Sequence, residues 1–237
     1  MKKKVLLITA IVAILAIAVS GTLAYFTAED SATNTFTIGS VKIEIYENDK
    51  ATGDDSIELG KLTPIVNEDK PSEDESYIEK VVDVENTGAN SAYIRVHIAV
   101  PSALAYNYLC LDLTDEGWER VATSSAVVDK VEYEVFTYDY MTAVAPGEFT
   151  NELLQGVYLA SDVDLLADAE ENLVFIRRSE GEVISNSEFV AHTKNDDGGY
   201  TTSKVNVLVA AQAIQADGFA NYEAALDNFT SHPWPAE

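Results

Sequence analysis

Strict two-residue alternation dominates the middle of this chain, and that period belongs to strands rather than helices. Val41, Ile43 and Ile45 fall on one face while Lys42, Glu44 and Tyr46 fall on the other. Ile78, Lys80, Val82 and Val84 repeat the pattern as an edge-type strand with one charged interruption. Residues 93–100 repeat it again until Pro101 stops them. Between the last two segments, Asn86-Thr87-Gly88-Ala89-Asn90 supplies residues that tolerate positive φ, so the pair is expected to form a hairpin. Further strands are predicted over residues 106–113, 131–140, 156–159, 173–176 and 204–215, with Pro146-Gly147 turning the chain after Tyr140. Helical signals are confined to residues 162–172 and 221–229; in the second, Asn221 precedes Tyr222, Ala225, Leu226 and Phe229 on one face. The pattern predicts an all-β fold, an antiparallel jelly-roll-like β-sandwich carrying one or two short helices.

The N-terminus is built differently. Lys2, Lys3 and Lys4 precede an apolar run over residues 5–19, followed by Ser20-Gly21-Thr22-Leu23-Ala24. A basic start, an apolar stretch and small residues before a cut make a secretory signal peptide, with cleavage placed between Ala24 and Tyr25. Uncleaved, residues 5–26 would be long enough to span a bilayer, which takes ~20 apolar residues. Either route puts the remaining chain outside the cytoplasm. The expected organisation is a signal peptide over 1–24, an N-terminal strand segment over 25–36 and one sandwich domain over 37–237. Cys110 is the only cysteine, so no internal disulfide forms, and its apolar neighbours Leu109 and Leu111 predict a buried, inert thiol.

Charge excludes whole classes of partner. The chain holds 15 basic and 40 acidic side chains, a net charge of -25. Nucleic acid requires a basic footprint, and anionic headgroups attract basic segments, so neither is an expected ligand. Such charge keeps copies apart by self-repulsion. Protons or divalent cations must screen it before copies associate closely.

Two stretches near the start, Gly21-Thr22-Leu23-Ala24-Tyr25-Phe26-Thr27 and Asn34-Thr35-Phe36-Thr37-Ile38-Gly39, resemble the N-terminus of the TasA/camelysin family, exported through the SipW type of signal peptidase. The stretch from Val82 to Gly88, the return Ala92-Tyr93-Ile94-Arg95-Val96, the turn Ala145-Pro146-Gly147-Glu148 and the late strand Ala211-Gln212-Ala213-Ile214-Gln215 are similar to that family in the same order. Residues 49–55, 161–171 and those after Phe229 have no counterpart in it. The resemblance implies a jelly-roll subunit of extracellular biofilm-matrix fibres, assembled head to tail with further copies of itself and, in some cases, with a sister matrix protein. It also implies that the freed segment Tyr25, Phe26, Thr27, Ala28, Glu29, Asp30 and Ser31 is a donor strand for the next subunit. Strand addition satisfies a row of main-chain hydrogen bonds while alternate side chains fill pockets. The alternative is that the segment is this subunit's own first strand.

An enzyme is not the expectation. Zinc hydrolysis takes three protein ligands and often a His-Glu-x-x-His helix. This chain offers only His97, His192 and His232, scattered, and they are expected to be ordinary surface histidines. No Gly-x-Ser-x-Gly elbow or phosphate loop occurs. Two oxygen-rich loops, Asp49 with Asp54 and Asp55, and Asn195-Asp196-Asp197-Gly198-Gly199, suit calcium in chemistry but not in EF-hand spacing. Trp118 and Trp234 are candidates for a carbohydrate or partner contact, with Trp118 expected in the core. The sequence therefore points to a secreted structural protein without cofactor that self-assembles into fibres. A monomeric surface-binding module, or a camelysin-like metalloendopeptidase, are the competing functions.

Overall fold

The computed structural model describes residues 27–31, 41–47, 50–51, 56–58, 63–106, 108–177, 190–202 and 204–234. Cleavage at Ala24 and Tyr25, the lead residue Phe26, the run 34–38 and the loop carrying Asp49, Asp54 and Asp55 lie outside them.

In chain order the first strands are β1 (Thr27–Ser31), β2 (Ile43–Glu47), β3 (Lys50–Ala51), β4 (Ser56–Glu58), β5 (Ile78–Asn86) and β6 (Ala92–Pro101). Then come β7 (Leu109–Leu113), β8 (Trp118–Val128), β9 (Val131–Tyr140), β10 (Leu154–Leu159), β11 (Val163–Ala167) and β12 (Leu173–Arg177). The last are β13 (Val190–Lys194), β14 (Tyr200–Thr202), β15 (Lys204–Asn206), β16 (Leu208–Gln215) and the helix α1 (Tyr222–Leu226).

Two five-stranded antiparallel sheets form the sandwich, ordered β1-β16-β6-β9-β8 and β3-β2-β5-β10-β7. Their facing side chains make one core: Ile43, Ile45, Val82, Val84, Leu154 and Leu159 from the second sheet meet Ile94, Val96, Ile98, Phe136, Val209 and Ala211 from the first. Burial alternates with period two along β5 and over Ala92–Val96 of β6, as the alternation required, whereas the rest of β6 is buried on both faces. Sheet β11-β12-β13-β14 and the pair β15-β4 complete the described strands. The fold is thus the expected all-β antiparallel sandwich.

Three expectations are corrected. β5 and β6 are not a hairpin, because they lie in different sheets. Both strands alternate, but their apolar faces look at each other across the core, so the turn between them must arch from sheet to sheet. Asn86 pins that arch from a fully buried position. Its Nδ2 donates to Asn90 O and Val144 O, each at 2.8 Å, and its Oδ1 accepts from Gly88 N at 3.0 Å. Nor is β5 an edge strand, since it runs between β2 and β10.

Residues 162–172 form no helix. β11 pairs with β12 around a turn in which Asp168 Oδ1 accepts from the amides of Glu170 and Asn172, and Glu171 takes φ +63°. The short polar side chain satisfies the turn amides directly, which outcompetes a helix. The second predicted helix does form: Asn221 Oδ1 accepts from Ala224 N at 2.9 Å and caps α1.

Candidate functional site

The donor-strand candidate is placed at the end of a sheet. β1 runs antiparallel to β16, with Thr27 opposite Ile214, Ala28 opposite Ala213, Glu29 opposite Gln212, Asp30 opposite Ala211 and Ser31 opposite Ala210. On its other side β16 pairs with β6 over its whole length, from Leu208 opposite Ala99 to Gln215 opposite Ala92. The segment is therefore paired within its own chain. It occupies the sheet edge that β16 would otherwise present.

β16 suits that position. Its inner face is small, with Val209, Ala211 and Ala213 packed in the core, so the strand lies close to the opposite sheet. Its outer face carries Ala210, Gln212 and Ile214, all buried. That outer face is covered by the C-terminal residues. Ile214 packs with Ala225 and Leu226 of α1 and with Phe219 and Phe229. At the far end Trp234 packs against a cluster of Ala99, Ala126, Tyr133 and Val135.

Between these two apolar contacts lies a polar row. Arg95 grips Asp139, with Nε to Oδ1 at 2.6 Å and Nη2 to Oδ2 at 2.8 Å. His97 is not a surface histidine: it is 2% exposed, with Thr137 Oγ1 3.0 Å from Nδ1 and Gln212 Oε1 2.9 Å from Nε2. Gln212 Nε2 donates to Ser231 O, so Oε1 accepts, and the His97 proton must sit on Nε2. Burial pushes its pKa down to about 4, and the neighbouring Arg95 and His232 charges push the same way against the raising effect of Gln212.

The three histidines split. His232 comes within 6.2 Å of His97, ring centre to ring centre, whereas His192 lies in another sheet beside Tyr200. Among the described residues no group of three or more His, Cys, Asp or Glu is arranged to hold a metal ion. Asn195–Gly199 closes the β13–β14 hairpin instead. Asp197 Oδ1 accepts from Gly199 N, and Asn195 Oδ1 accepts from Thr201 Oγ1. Cys110 sits half-buried on β7, and burial pushes its thiol pKa up, which suppresses the nucleophilic thiolate. Trp118 is in the core, its Nε1 donating to Asn151 O at 3.0 Å. The buried polar row and its C-terminal cover are what sequence reasoning missed. The one available signal was a histidine and a glutamine inside apolar strands. No known protein family, curated protein or solved structure matches this chain.

Proposed function

We propose that this protein is a secreted structural subunit that polymerises into extracellular matrix or cell-surface fibres by giving residues 25–31 to the next copy. The observation that carries this reading is the place of β1: a five-residue strand at the end of a sheet, paired among the described residues only to β16 and separated from β2 by residues 32–42. A neighbour's identical segment satisfies the same ladder on β16 with the same register, so the closed monomer and the open polymer share one set of hydrogen bonds. Which form prevails is set by the connecting residues and by the effective concentration of the neighbour's strand. A head-to-tail exchange that does not close on itself grows into a filament.

The resemblance to the TasA/camelysin family supports the same reading, with the SipW-type peptidase as the enzyme that frees the segment and a sister matrix protein as a further partner. A second function has its own support. Because β1 already fills the slot on β16 within one chain, a monomeric surface module or fibre-capping accessory needs no exchange at all.

Electron microscopy of the mature chain separates the two. The polymer reading expects filaments that vanish on deletion of residues 25–31. Filaments of unchanged form from the deleted chain would remove strand donation.

A further inference from the structure

Residues 229–234 cross the outer face of the first sheet as a strap held at three points. Arg95 Nη1 donates to Phe229 O at 3.3 Å, Gln212 Nε2 donates to Ser231 O at 3.2 Å, and His232 Nε2 donates to Ser125 O at 3.2 Å. The tethers therefore reach β6, β16 and β8 in turn. A cavity of about 640 Å³ separates strap from sheet, lined by Arg95, His97, Thr137, Thr230, Ser231 and His232 among others. His232 donates through Nε2, and its Nδ1 is buried with no hydrogen-bond partner among the described residues.

We propose that this strap is an acid-released latch: a charge on His97 beneath residues 229–234 favours lifting of the strap, which parts the Gln212–Ser231 tether and loosens β16, the strand that holds β1. The geometry defines each step. With neutral His97, the Nε2 proton holds Gln212 Oε1 and so aims Gln212 Nε2 at Ser231 O. A second proton lands on Nδ1, where the Thr137 hydroxyl is the partner among the described residues, while Nε2 keeps its proton on Gln212 Oε1.

The added charge meets Arg95 on its own strand and His232 on the strap. Of the acids nearby, Asp139 on β9 is already committed to Arg95, and Asp227 after α1 lines the cavity. From β8 come Glu119, engaged by the Tyr222 hydroxyl, and Arg120; from β16 and β1 come Gln212 and the register position of Glu29. No uncommitted carboxylate contacts the ring among the described residues. Lifting the strap opens the cavity to bulk water, which hydrates the charge more fully than these groups do.

Lifting the strap returns His97 to its ordinary value near 6.5, against about 4 when covered. Opening is then favoured by about tenfold for each pH unit below about 6.5, on the order of 10²-fold by pH 4. Since Gln212 stands opposite Glu29 in the β1–β16 ladder, release also reaches the strand proposed for exchange.

Amide hydrogen exchange on the full mature chain tests the latch, with rates corrected for their intrinsic pH dependence. Protection of the strap amide at Phe229, which donates to Leu226 O at 3.0 Å, should fall about 10²-fold between pH 6.5 and 4 while the β6 amides stay protected. His97→Gln, which keeps a donor for Gln212, should abolish that fall. No fall in the wild-type chain, or an equal fall in H97Q, overturns the proposal. Should H97Q fail to fold, the wild-type imidazole titration followed by NMR decides: it must share the strap's midpoint, and separate midpoints overturn the latch. Both readouts lie within one chain, so they stand apart from whether copies polymerise.

Discussion

Arg95 and Asp139 form a two-point ion pair across β6 and β9, with Nε and Nη2 at 2.6 and 2.8 Å from the two carboxylate oxygens. Their side chains are 12% and 3% exposed, beneath the C-terminal strap. Asp139→Ala should therefore cost about 3–5 kcal/mol of folding stability, because it strands a buried guanidinium. Replacing both residues by apolar groups of similar size should recover most of that loss. Urea unfolding of the single and double variants checks both statements; a single-variant loss below about 1 kcal/mol contradicts the buried-pair account.

Stability should fall on mild acidification, and the sign follows from His97. Its folded pKa of about 4 lies below the ordinary 6.5. Between those values the unfolded chain carries a proton that the native chain does not, so stability rises with pH there. The contribution is fully present above about pH 6.5 and is lost as pH falls toward 4, about 3 kcal/mol in all. Glu68, held low by hydrogen bonds from Ser161, and Asp74, held low by the amides of Val66 and Ser76, add their own losses at still lower pH. Denaturant unfolding at pH 7, 5.5 and 4.5 measures the slope, and a flat profile above pH 4.5 contradicts it.

Gly156 is required by its neighbour's ring. A Cβ there would stand 2.1 Å from Tyr77 Cζ and 2.2 Å from its hydroxyl oxygen. That ring is fixed, since the hydroxyl donates to Asp112 Oδ2 at 2.8 Å and the ring stacks on Tyr158 at 6.4 Å. Gly156→Ala should cost about 1–3 kcal/mol through overpacking. In a Tyr77→Ala background the same substitution should cost less than about 1 kcal/mol. Equal costs in both backgrounds would assign the glycine to the bulge between Leu154 and Gly156 rather than to the ring.

The sandwich was legible where one strand face is apolar and the other polar. β9 runs over residues 131–140 as the alternation predicts, and β2, β10, β12 and β16 fall within the predicted segments or overlap them. β8 was not predicted, although it is eleven residues long. It is an edge strand rich in Ser, Thr and Ala with only Trp118 and Ala126 buried, so it carries no apolar face to betray its period. The β5–β6 arch misled because alternation gives the buried face of a strand but not which sheet it joins. At the candidate site, the order of the N-terminal segment and the late strand was visible in the residues. Their pairing, and the strap over His97, depended on contacts between residues more than a hundred positions apart.

The register of β1 on β16 gives the most direct test of strand donation. Cysteines at Ala28 and Ala213, opposite each other in the ladder, introduced with Cys110→Ser, should bridge on oxidation. In fibres the account predicts disulfide-linked ladders of many subunits under non-reducing conditions, and closed single-chain loops only in the dilute monomer. Fibres whose oxidised subunits run solely as looped monomers would show that β1 never leaves its own chain, and would contradict the central claim.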